Sequence, residues 1–163
     1  MKKAVILGCC GSGKSRFARR LRDATGLPLI CLDNVWWKPD RTHISREEFD
    51  AALAAILAAD AWIIDGDYCR SYEPRISACD TVFFLDYSED VCLSGIRERI
   101  GKARPDMPWV ENEVDPALVK EVQRYRREKR PVVLELISRY REKEIHIFSA
   151  RNEAETWIKQ LHL

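Results

Sequence analysis

Short apolar runs alternate along the chain with segments in which apolar residues recur at helical spacing. The runs are only a few residues long, as in strands that are buried inside a parallel sheet. Alternation of such strands with helices is typical of an α/β protein whose sheet is covered by helices on both faces. We predict five strands, at residues 4–7, 29–32, 62–64, 82–85 and 145–148.

Helix-start and helix-stop residues delimit the helices between these strands. The first predicted helix begins inside a glycine-rich loop and ends at Gly26, and we expect its arginines to form mostly a solvated face. Ser45 and Glu48 have the spacing of a capping box ahead of an alanine-rich helix. We predict further helix starts at Ser88, Asp115-Pro116 and Ser149, and we expect Pro131 to start or to kink another helix.

The loop after the first predicted strand, residues 8–15, reads Gly-Cys-Cys-Gly-Ser-Gly-Lys-Ser. This string matches Gly-x-x-x-x-Gly-Lys-Ser, in which glycines let backbone N–H groups surround an anion. Lys14 can then reach the β and γ phosphates, and the Ser15 hydroxyl can bind Mg²⁺. The alternative is a flexible turn that happens to contain these residue types. The order of strand, loop and helix favours the phosphate-binding loop.

Composition limits the remaining possibilities. The chain has 163 residues, which we interpret as a single domain, and 27 Lys and Arg against 26 Asp and Glu give a formal net charge of +1. No overall field attracts it to DNA or to an anionic membrane, so direct nucleic-acid binding is not expected. Six cysteines without Cys-x-x-Cys spacing favour free thiols, and the N-terminus has no signal-peptide pattern, so we expect a cytoplasmic protein.

Acidic residues follow three of the predicted strands, at the ends where parallel sheets bind ligands. Asp65 and Asp86 follow the third and fourth strands and compete as the acid associated with Mg²⁺. We favour Asp65, because Gly66 allows the backbone to approach a ligand closely. The alternative for either is a carboxylate that caps the next element. Asp33 can accept a hydrogen bond from an acceptor hydroxyl or hold Mg²⁺ through water, with an ordinary strand-end acid as the alternative.

A stretch rich in Arg, Lys, Gly and Pro separates two predicted helices. We interpret this region, at about 97–130 with the helix behind it, as a lid over the phosphate loop. Cations on a closing lid can meet the γ phosphate when both substrates are bound and water is excluded. The candidates are Arg97, Arg99 and Arg104, with Arg126 on the helix behind them. The alternative is a solvated charged face.

Three further residues are candidates for binding the acceptor. Arg75 follows Asp65-Gly66-Asp67-Tyr68 and can bind an acceptor phosphate, with a structural ion pair as the alternative. Trp37 and Tyr68 fall in loops near the strand-end acids, where they can stack on a planar acceptor or close its pocket. Core packing is the alternative for each of these aromatic side chains.

Several other strings accompany the phosphate loop in a fixed order. They are Leu32-Asp33 followed by Trp37-Lys38-Pro39, residues 62–68, Phe84-Leu85-Asp86, Arg104-Pro105-Asp106-Met107, and Tyr125-Arg126 ahead of Arg130-Pro131. With these residues the chain resembles the adenylate-kinase-like P-loop family and, within it, the bacterial DNA topology modulation (FlaR-related) proteins. The resemblance covers nearly the whole chain. Only the phosphate loop is specific by itself, and the order and spacing of the other strings carry the rest.

The resemblance implies a three-layer α/β P-loop fold like that of nucleoside-monophosphate kinases. It implies a parallel sheet in the order 2-3-1-4-5, a short acceptor-binding helix region after strand two, an arginine-bearing lid after strand four, and ATP and Mg²⁺ as cofactors. Two positions depart from the family pattern, Arg16 where Thr is usual and Asp67 where Asn is expected. The candidate nucleotide-binding residues are Gly8, Gly11, Ser12, Gly13, Lys14, Ser15, Arg16 and Arg151. The candidates for the acceptor are Asp33, Trp37, Asp65, Tyr68, Arg75 and Arg126, those for the metal are Ser15 and Asp65, and those for catalysis are Lys14, Asp33, Arg97, Arg99 and Arg104.

Two functions are compatible with these residues. The first is an ATP-dependent kinase, a monomer or homodimer, that phosphorylates a small molecule such as a nucleotide, a nucleoside or another metabolite. The second is a nucleotide-binding regulator or slow NTPase, linked to DNA topology, whose lid signals nucleotide occupancy. The paired strand-end acids and the lid arginines favour the kinase.

Overall fold

The computed structural model of the protein describes residues 1–161. It contains five strands, β1 (Lys3–Gly8), β2 (Leu29–Cys31), β3 (Trp62–Asp65), β4 (Thr81–Leu85) and β5 (Glu144–Phe148). They form one parallel sheet in the order β2-β3-β1-β4-β5. This confirms the predicted α/β fold and its sheet order, and it places β1 at the centre with its C-terminal end between those of β3 and β4.

Helices follow each strand. They are α1 (Lys14–Thr25), α2 (Leu32–Trp36), α3 (Arg46–Ala58), α4 (Tyr72–Ala78), α5 (Glu89–Glu98), α6 (Pro116–Glu128), α7 (Arg130–Arg139) and α8 (Arg151–Gln160), with a single 3₁₀ turn at Cys69–Ser71. Within the described part of the chain, no helix is long and apolar enough to cross a membrane.

The core lies on both faces of the central strands. Every residue of β3 and β4 is buried, because helices cover the sheet on either side. On one face, Phe17 of α1 packs against Phe83 of β4 with ring centroids 5.1 Å apart. Trp157 of α8 lies 4.8 Å from the same Phe83 ring. These contacts fix α1, and with it the loop that precedes α1, against the sheet.

Side-chain caps mark the N-terminal ends of three helices, with Ser45 at α3, Ser88 at α5 and Asp115 at α6. The Ser45 hydroxyl accepts from the backbone N–H of Glu48 at 3.1 Å, and the Glu48 carboxylate accepts from the backbone N–H of Ser45 at 2.7 Å, which confirms the capping box. The prediction that Ser149 caps the last helix is wrong. Ala150 precedes the first helical residue, and the Glu153 carboxylate accepts from the backbone N–H of Ser149 at 2.7 Å.

Two short helices, α2 and α4, lie in segments whose sequence shows neither the alternation of a strand nor the periodicity of a helix. The second strand ends at Cys31, one residue earlier than predicted, and Leu32 begins α2. This α2 agrees with the helix region that the family resemblance implies after strand two. Helix α4 was not predicted, because seven residues that include Pro74 give too short a pattern.

Gly11 in the loop after β1 and Gly95 in α5 are in close contact. A Cβ atom on Gly95 would lie 1.9 Å from the Gly11 carbonyl oxygen, and a Cβ atom on Gly11 would lie 2.0 Å from the Cys92 carbonyl oxygen. Neither position has room for a side chain. Helix α5 therefore determines how deep the loop sits.

We expect Gly95→Ala to lower the free energy of unfolding by about 1–3 kcal/mol, as overpacked sites do. Helix propensity alone predicts the opposite, a gain of about 1 kcal/mol. Urea unfolding measures the difference. Arg97→Ala on the same helix, where the side chain is exposed, is the control and should change stability by less than about 0.5 kcal/mol. A more stable Gly95→Ala variant would contradict the close contact.

Candidate functional site

The loop between β1 and α1 adopts the backbone that an anion-binding loop needs. Gly11 and Gly13 have φ angles of 76° and 95°, in the left-handed region that favours glycine. Helix α1 begins at Lys14, so the unpaired N–H groups of its first turn lie at the same cavity as the loop. A loop and a helix N-terminus that open on one cavity can bind phosphate oxygens.

Lys14 is a buried cation at the base of this loop. Its Nζ donates to the Cys9 carbonyl oxygen at 2.8 Å, within the loop itself. Burial by itself lowers the pKa of Lys14, but the carboxylates of Asp67 and Asp65 outweigh burial and raise the pKa above its ordinary value. The side chain is therefore a charged ammonium whose present hydrogen-bond partner is neutral.

Asp65 ends β3 directly beside β1, where it pairs in register with Ile6. The residue is 2% exposed, and its Oδ1 atom has no hydrogen-bond partner among the described residues. Burial raises the pKa of Asp65 from 3.8 to about 6, although Lys14 and the Ser15 side chain act in the opposite direction. A buried carboxylate oxygen without a partner, next to a phosphate-binding loop, fits a divalent cation.

Asp33 lies in the first turn of α2 and is held by an aromatic hydroxyl. The Tyr68 hydroxyl donates to Asp33 Oδ1 at 2.7 Å. Burial raises the pKa of Asp33, whereas the hydrogen bond from Tyr68 and the charge of Lys14 lower it, and burial prevails. The result is an oriented carboxylate whose basicity is increased.

Asp67 is already engaged by other side chains. Lys129 Nζ donates to Asp67 Oδ2 at 2.8 Å and to Glu121 Oε1 at 2.6 Å. The Tyr72 hydroxyl donates to the other carboxylate oxygen of Asp67. The negative charge at this position, where the family pattern has Asn, is thus balanced by Lys129 from the loop between α6 and α7.

Residues 99–115 between α5 and α6, called the lid segment below, contain no helix or strand. Arginines and carboxylates in and beside this segment form a continuous series of ion pairs. Arg19 of α1 contacts Asp106 at 2.5 Å, and Arg104 contacts the other oxygen of Asp106 at 2.7 Å. Arg104 also contacts Glu111 at 2.9 Å, and Glu111 contacts Arg99 at 2.8 Å. We call these five residues the arginine chain.

The arginine chain joins the lid segment to the helix that follows the phosphate loop. Asp106 is 1% exposed, so its charge depends on both of its arginine partners. Arg19 lies on a helix face that the sequence pattern predicted to be mostly solvated, and its ion pair with a buried carboxylate corrects that prediction. Neither Asp106 nor Glu111 was predicted, because irregular segments give no periodic pattern that reveals such pairs.

A cavity of about 1070 Å³ brings most of the predicted site residues together. It is bounded by the phosphate loop, the C-terminal ends of the central strands and the lid segment. The predicted residues that line it are Gly11, Ser12, Gly13, Lys14, Ser15, Arg16, Asp33, Trp37, Asp65, Tyr68, Arg99, Arg104 and Arg151. Additional lining residues that the sequence did not reveal are Arg19, Arg41, Asp106, Trp109 and Glu111.

Arg75 lies behind the cavity wall rather than in it. Its guanidinium is fully buried and donates to the carbonyl oxygens of Gly66 at 2.9 Å, Ser71 at 3.2 Å and Tyr68 at 3.4 Å. Burial lowers the pKa of Arg75 to about 10. In this position the side chain holds the loop after β3 in place and does not face the predicted acceptor.

Three other predicted residues do not line the cavity. Arg97 and Arg126 are exposed on α5 and α6, and Gly8 ends β1 before the loop turns. Arg16 and Arg151 line the cavity and form ion pairs across its rim, Arg16 with Glu155 at 3.1 Å and Arg151 with Glu98 at 3.2 Å. The backbone carbonyl of Val91 also accepts from Arg151 at 3.3 Å.

Several solved structures resemble this chain. A shikimate kinase from Acinetobacter baumannii in complex with shikimate has a TM-score of 0.65 and 13% identity, covering 99% of this chain and 90% of that chain. A gluconokinase from Sinorhizobium meliloti 1021 has a TM-score of 0.56 and 17% identity, covering 98% and 89%. A sugar kinase from Janibacter sp. HTCC2649 has a TM-score of 0.56 and 17% identity, covering 98% and 91%.

The chain has the fold of the P-loop kinases. At identities of 13–17%, the likeness concerns the fold alone. No protein-family model matches the chain, and no curated protein matches it.

We expect Asp65→Asn to stabilise the protein at pH 8 by about 2–3 kcal/mol, because the pKa of Asp65 is raised to about 6 and its charged form is unfavourable in the fold. The native state binds more protons than the unfolded state between pH 4 and 6, so the contribution of Asp65 to stability falls as pH rises through this range. Urea unfolding of both proteins should give a difference at pH 8 that vanishes near pH 4. A variant that is less stable at pH 8 would mean that the carboxylate has a partner.

Proposed function

We propose that the protein is an ATP-dependent kinase that transfers the γ-phosphoryl group of ATP to a hydroxyl group of a small molecule. The observation that carries this proposal is the meeting of three kinds of groups in one cavity. These are the phosphate loop with Lys14, the half-buried acid Asp33 with the buried acid Asp65, and the arginines Arg99 and Arg104. Phosphoryl transfer depends mainly on positioning and charge neutralisation, which such groups supply.

The nucleotide end of the cavity would bind the triphosphate. Backbone N–H groups of the loop and of the first turn of α1 would hold the α and β phosphates, and Lys14 would contact the β and γ phosphates. The Lys14 ammonium now donates to the Cys9 carbonyl oxygen, so it can turn to a phosphate without breaking an ion pair. The phosphate then provides the stronger, charged partner.

Ser15 and Asp65 would hold Mg²⁺ with the phosphates. The unpartnered Asp65 Oδ1 supports this role, because it is an oxygen ligand of the kind that Mg²⁺ prefers. When bound, the ion neutralises charge on the β and γ phosphates. Asp65 would also remain ionised more readily beside a divalent cation, which opposes the effect of burial on its pKa.

Asp33 would act as the base for the acceptor. Tyr68 holds one oxygen of the Asp33 carboxylate, which leaves the other oxygen for the acceptor hydroxyl. The hydroxyl oxygen would attack the γ phosphorus, its proton would pass to Asp33, and the bond from the γ phosphorus to the β–γ bridging oxygen would break. The raised pKa of Asp33 makes this carboxylate a better base.

The structural neighbours support a small-molecule acceptor. They are named as shikimate kinases, a gluconokinase and a sugar kinase. Membership of the adenylate-kinase-like family and its DNA topology modulation branch stays a prediction from the residue strings. The requirement for ATP and Mg²⁺, the cytoplasmic setting and the monomer or homodimer also stay predictions.

Acceptor-dependent turnover tests the proposed function. ADP release from Mg·ATP should rise when a panel of nucleotides, nucleosides, polyols and hydroxy acids is added, and Lys14→Ala should abolish this release while the protein stays folded by circular dichroism. Lys120→Ala, which removes an exposed lysine of α6 outside the cavity, is the control. Tight ATP binding with no acceptor-dependent release would favour the nucleotide-binding regulator instead.

We expect Arg104→Ala to lower kcat at least about 100-fold while the Kd for ATP changes far less, because the arginine would meet the charge that develops on the transferred group. Asp106→Asn should reproduce part of this loss, since Asp106 holds Arg104 in place. Steady-state kinetics and calorimetric titration with ATP separate the two quantities. Arg127→Ala, an exposed arginine of α6, is the control. Equal losses in kcat and ATP affinity would mean that Arg104 only helps to hold the nucleotide.

A further inference from the structure

The end of the cavity lined by Asp33, Trp37 and Tyr68 is called the acceptor end below. Residues 37–43 form a short antiparallel hairpin beside it. The Lys38 N–H donates to the Thr42 carbonyl oxygen at 2.8 Å, and the Arg41 N–H donates to the Lys38 carbonyl oxygen at 3.0 Å. The Asp40 carboxylate accepts from the Thr42 N–H at 3.0 Å and from its hydroxyl at 2.5 Å. These hydrogen bonds fix the turn that carries Arg41.

Arg41 occupies a backbone conformation that other residue types adopt more easily. Its φ angle is 66°, and no other residue except glycine has a positive φ within the described part of the chain. Glycine would adopt this conformation without strain, so the hairpin does not need an arginine in order to turn. Strained residues concentrate at binding sites, where the side chain has a role beyond the backbone.

The Arg41 side chain lines the cavity without an acidic partner. Its guanidinium lies over the Trp109 ring, 5.6 Å from the ring centroid. No carboxylate of residues 1–161 forms an ion pair with it, whereas Arg99 and Arg104 are both paired with Glu111. A guanidinium that stacks on an aromatic ring keeps its in-plane N–H groups for an anion.

Two other cations of the cavity wall lack an ion pair in the part of the chain that the structure describes, Lys14 and Lys102, and Lys14 lies in the phosphate loop, where its Nζ donates to the Cys9 carbonyl oxygen. Lys102 lies near Glu98, whose pKa is lowered by Ser94, by Arg151 and to a smaller degree by Lys102. Arg151 lies near the phosphate loop, because its guanidinium and the Gly11 carbonyl oxygen both lie close to Gly95 of α5. Lys102 acts on the same carboxylate as Arg151, so we place Lys102 at the nucleotide end. Arg41 is therefore the unpaired cation of the acceptor end.

The aromatic side chains at the acceptor end already cover one another. Trp36 stacks on His43 with ring centroids 4.3 Å apart, and Tyr68 packs on Phe49 at 5.1 Å. The Trp37 and Trp109 rings meet edge to face at 5.4 Å, and Arg41 covers Trp109. Trp36 and Trp109 therefore each have a ring face occupied by a side chain of the protein itself, which favours an acceptor without a planar base.

We propose that the acceptor is a non-aromatic hydroxylated molecule with an anionic group, a carboxylate or a phosphate, which Arg41 binds while Asp33 takes the hydroxyl. The proposal rests on the kinase function above and narrows its acceptor. The test must separate this acceptor from two alternatives. One is a nucleoside, which requires a stacking surface, and the other is a neutral polyol, which leaves Arg41 unpaired.

The first experiment compares matched acceptors in the wild-type protein. Gluconate and glucose 6-phosphate are the anionic probes, sorbitol and glucose are their neutral counterparts, and adenosine is the planar probe. We expect at least about a 10-fold higher kcat/KM for one anionic probe than for its neutral counterpart, as the loss of a charged hydrogen bond implies. Comparison of gluconate with glucose 6-phosphate shows whether a carboxylate or a phosphate is preferred.

The second experiment changes Arg41. Arg41→Gln should raise the KM for the preferred anionic probe about 10- to 100-fold with a much smaller change in kcat. Arg41→Gly should raise the KM for the probe by the same factor. It should not lower the thermal unfolding temperature, because glycine relieves the strained φ angle. Lys38→Gln removes a charge from the same hairpin outside the cavity and should leave the KM unchanged.

Calorimetric titration with the same probes separates this inference from the kinase function. If an anionic probe binds the wild-type protein and Arg41→Gln abolishes this binding, the inference about Arg41 is supported. If no ADP is released in the same experiment, the kinase function alone is overturned. Turnover of sorbitol, glucose or adenosine as fast as the anionic probes would overturn the inference and leave the kinase function standing. An Arg41→Gln variant with wild-type probe binding would also overturn it.

Discussion

The burial of the Lys14 ammonium is the constraint on which the rest of the site depends. An unpaired cation would be unstable in this position, and the carboxylates of Asp65 and Asp67 compensate it from the neighbouring strand end. Lys129 shares Asp67, so Asp65 is the acid that retains an oxygen without a partner. Under the proposed kinase function, a magnesium nucleotide would bring an anion to Lys14 and a cation to the unpartnered oxygen of Asp65 at the same time.

The lid segment is neutralised in a different way, by the arginine chain. The two carboxylates of the arginine chain differ in exposure, since the side chain of Asp106 is 2% exposed and that of Glu111 is 14% exposed. Asp106 also pairs with Arg19 from the body of the protein, whereas Glu111 pairs with arginines of its own segment and its border with α5. A phosphate that competes for Arg99 and Arg104 would therefore displace Glu111 more easily than Asp106.

The sequence was sufficient for the parts of the fold and site that are continuous along the chain. The phosphate loop, the strand-end acids and the sheet order follow from motif, apolar runs and family resemblance, and Lys14, Asp33 and Asp65 do meet in the cavity. Pairings between distant segments were not accessible, because an arginine in a helix or an irregular loop has the same local pattern whether it binds Asp106 or water. For the same reason Arg75, which follows a site motif, is held by backbone carbonyls instead of facing the acceptor.

The lid segment also connects the two ends of the cavity. Trp109 contacts Trp37 and Arg41 at the acceptor end, and Glu111, two residues later, holds the arginines at the phosphate end. Over so short a distance the backbone cannot move one residue far without the other. A backbone movement that releases Glu111 from its arginines would therefore also shift Trp109 against the hairpin, whereas a side-chain rotation of Glu111 would leave Trp109 in place. The two ends of the cavity are thus joined within the lid segment by residues 109–111 and also by the arginine chain.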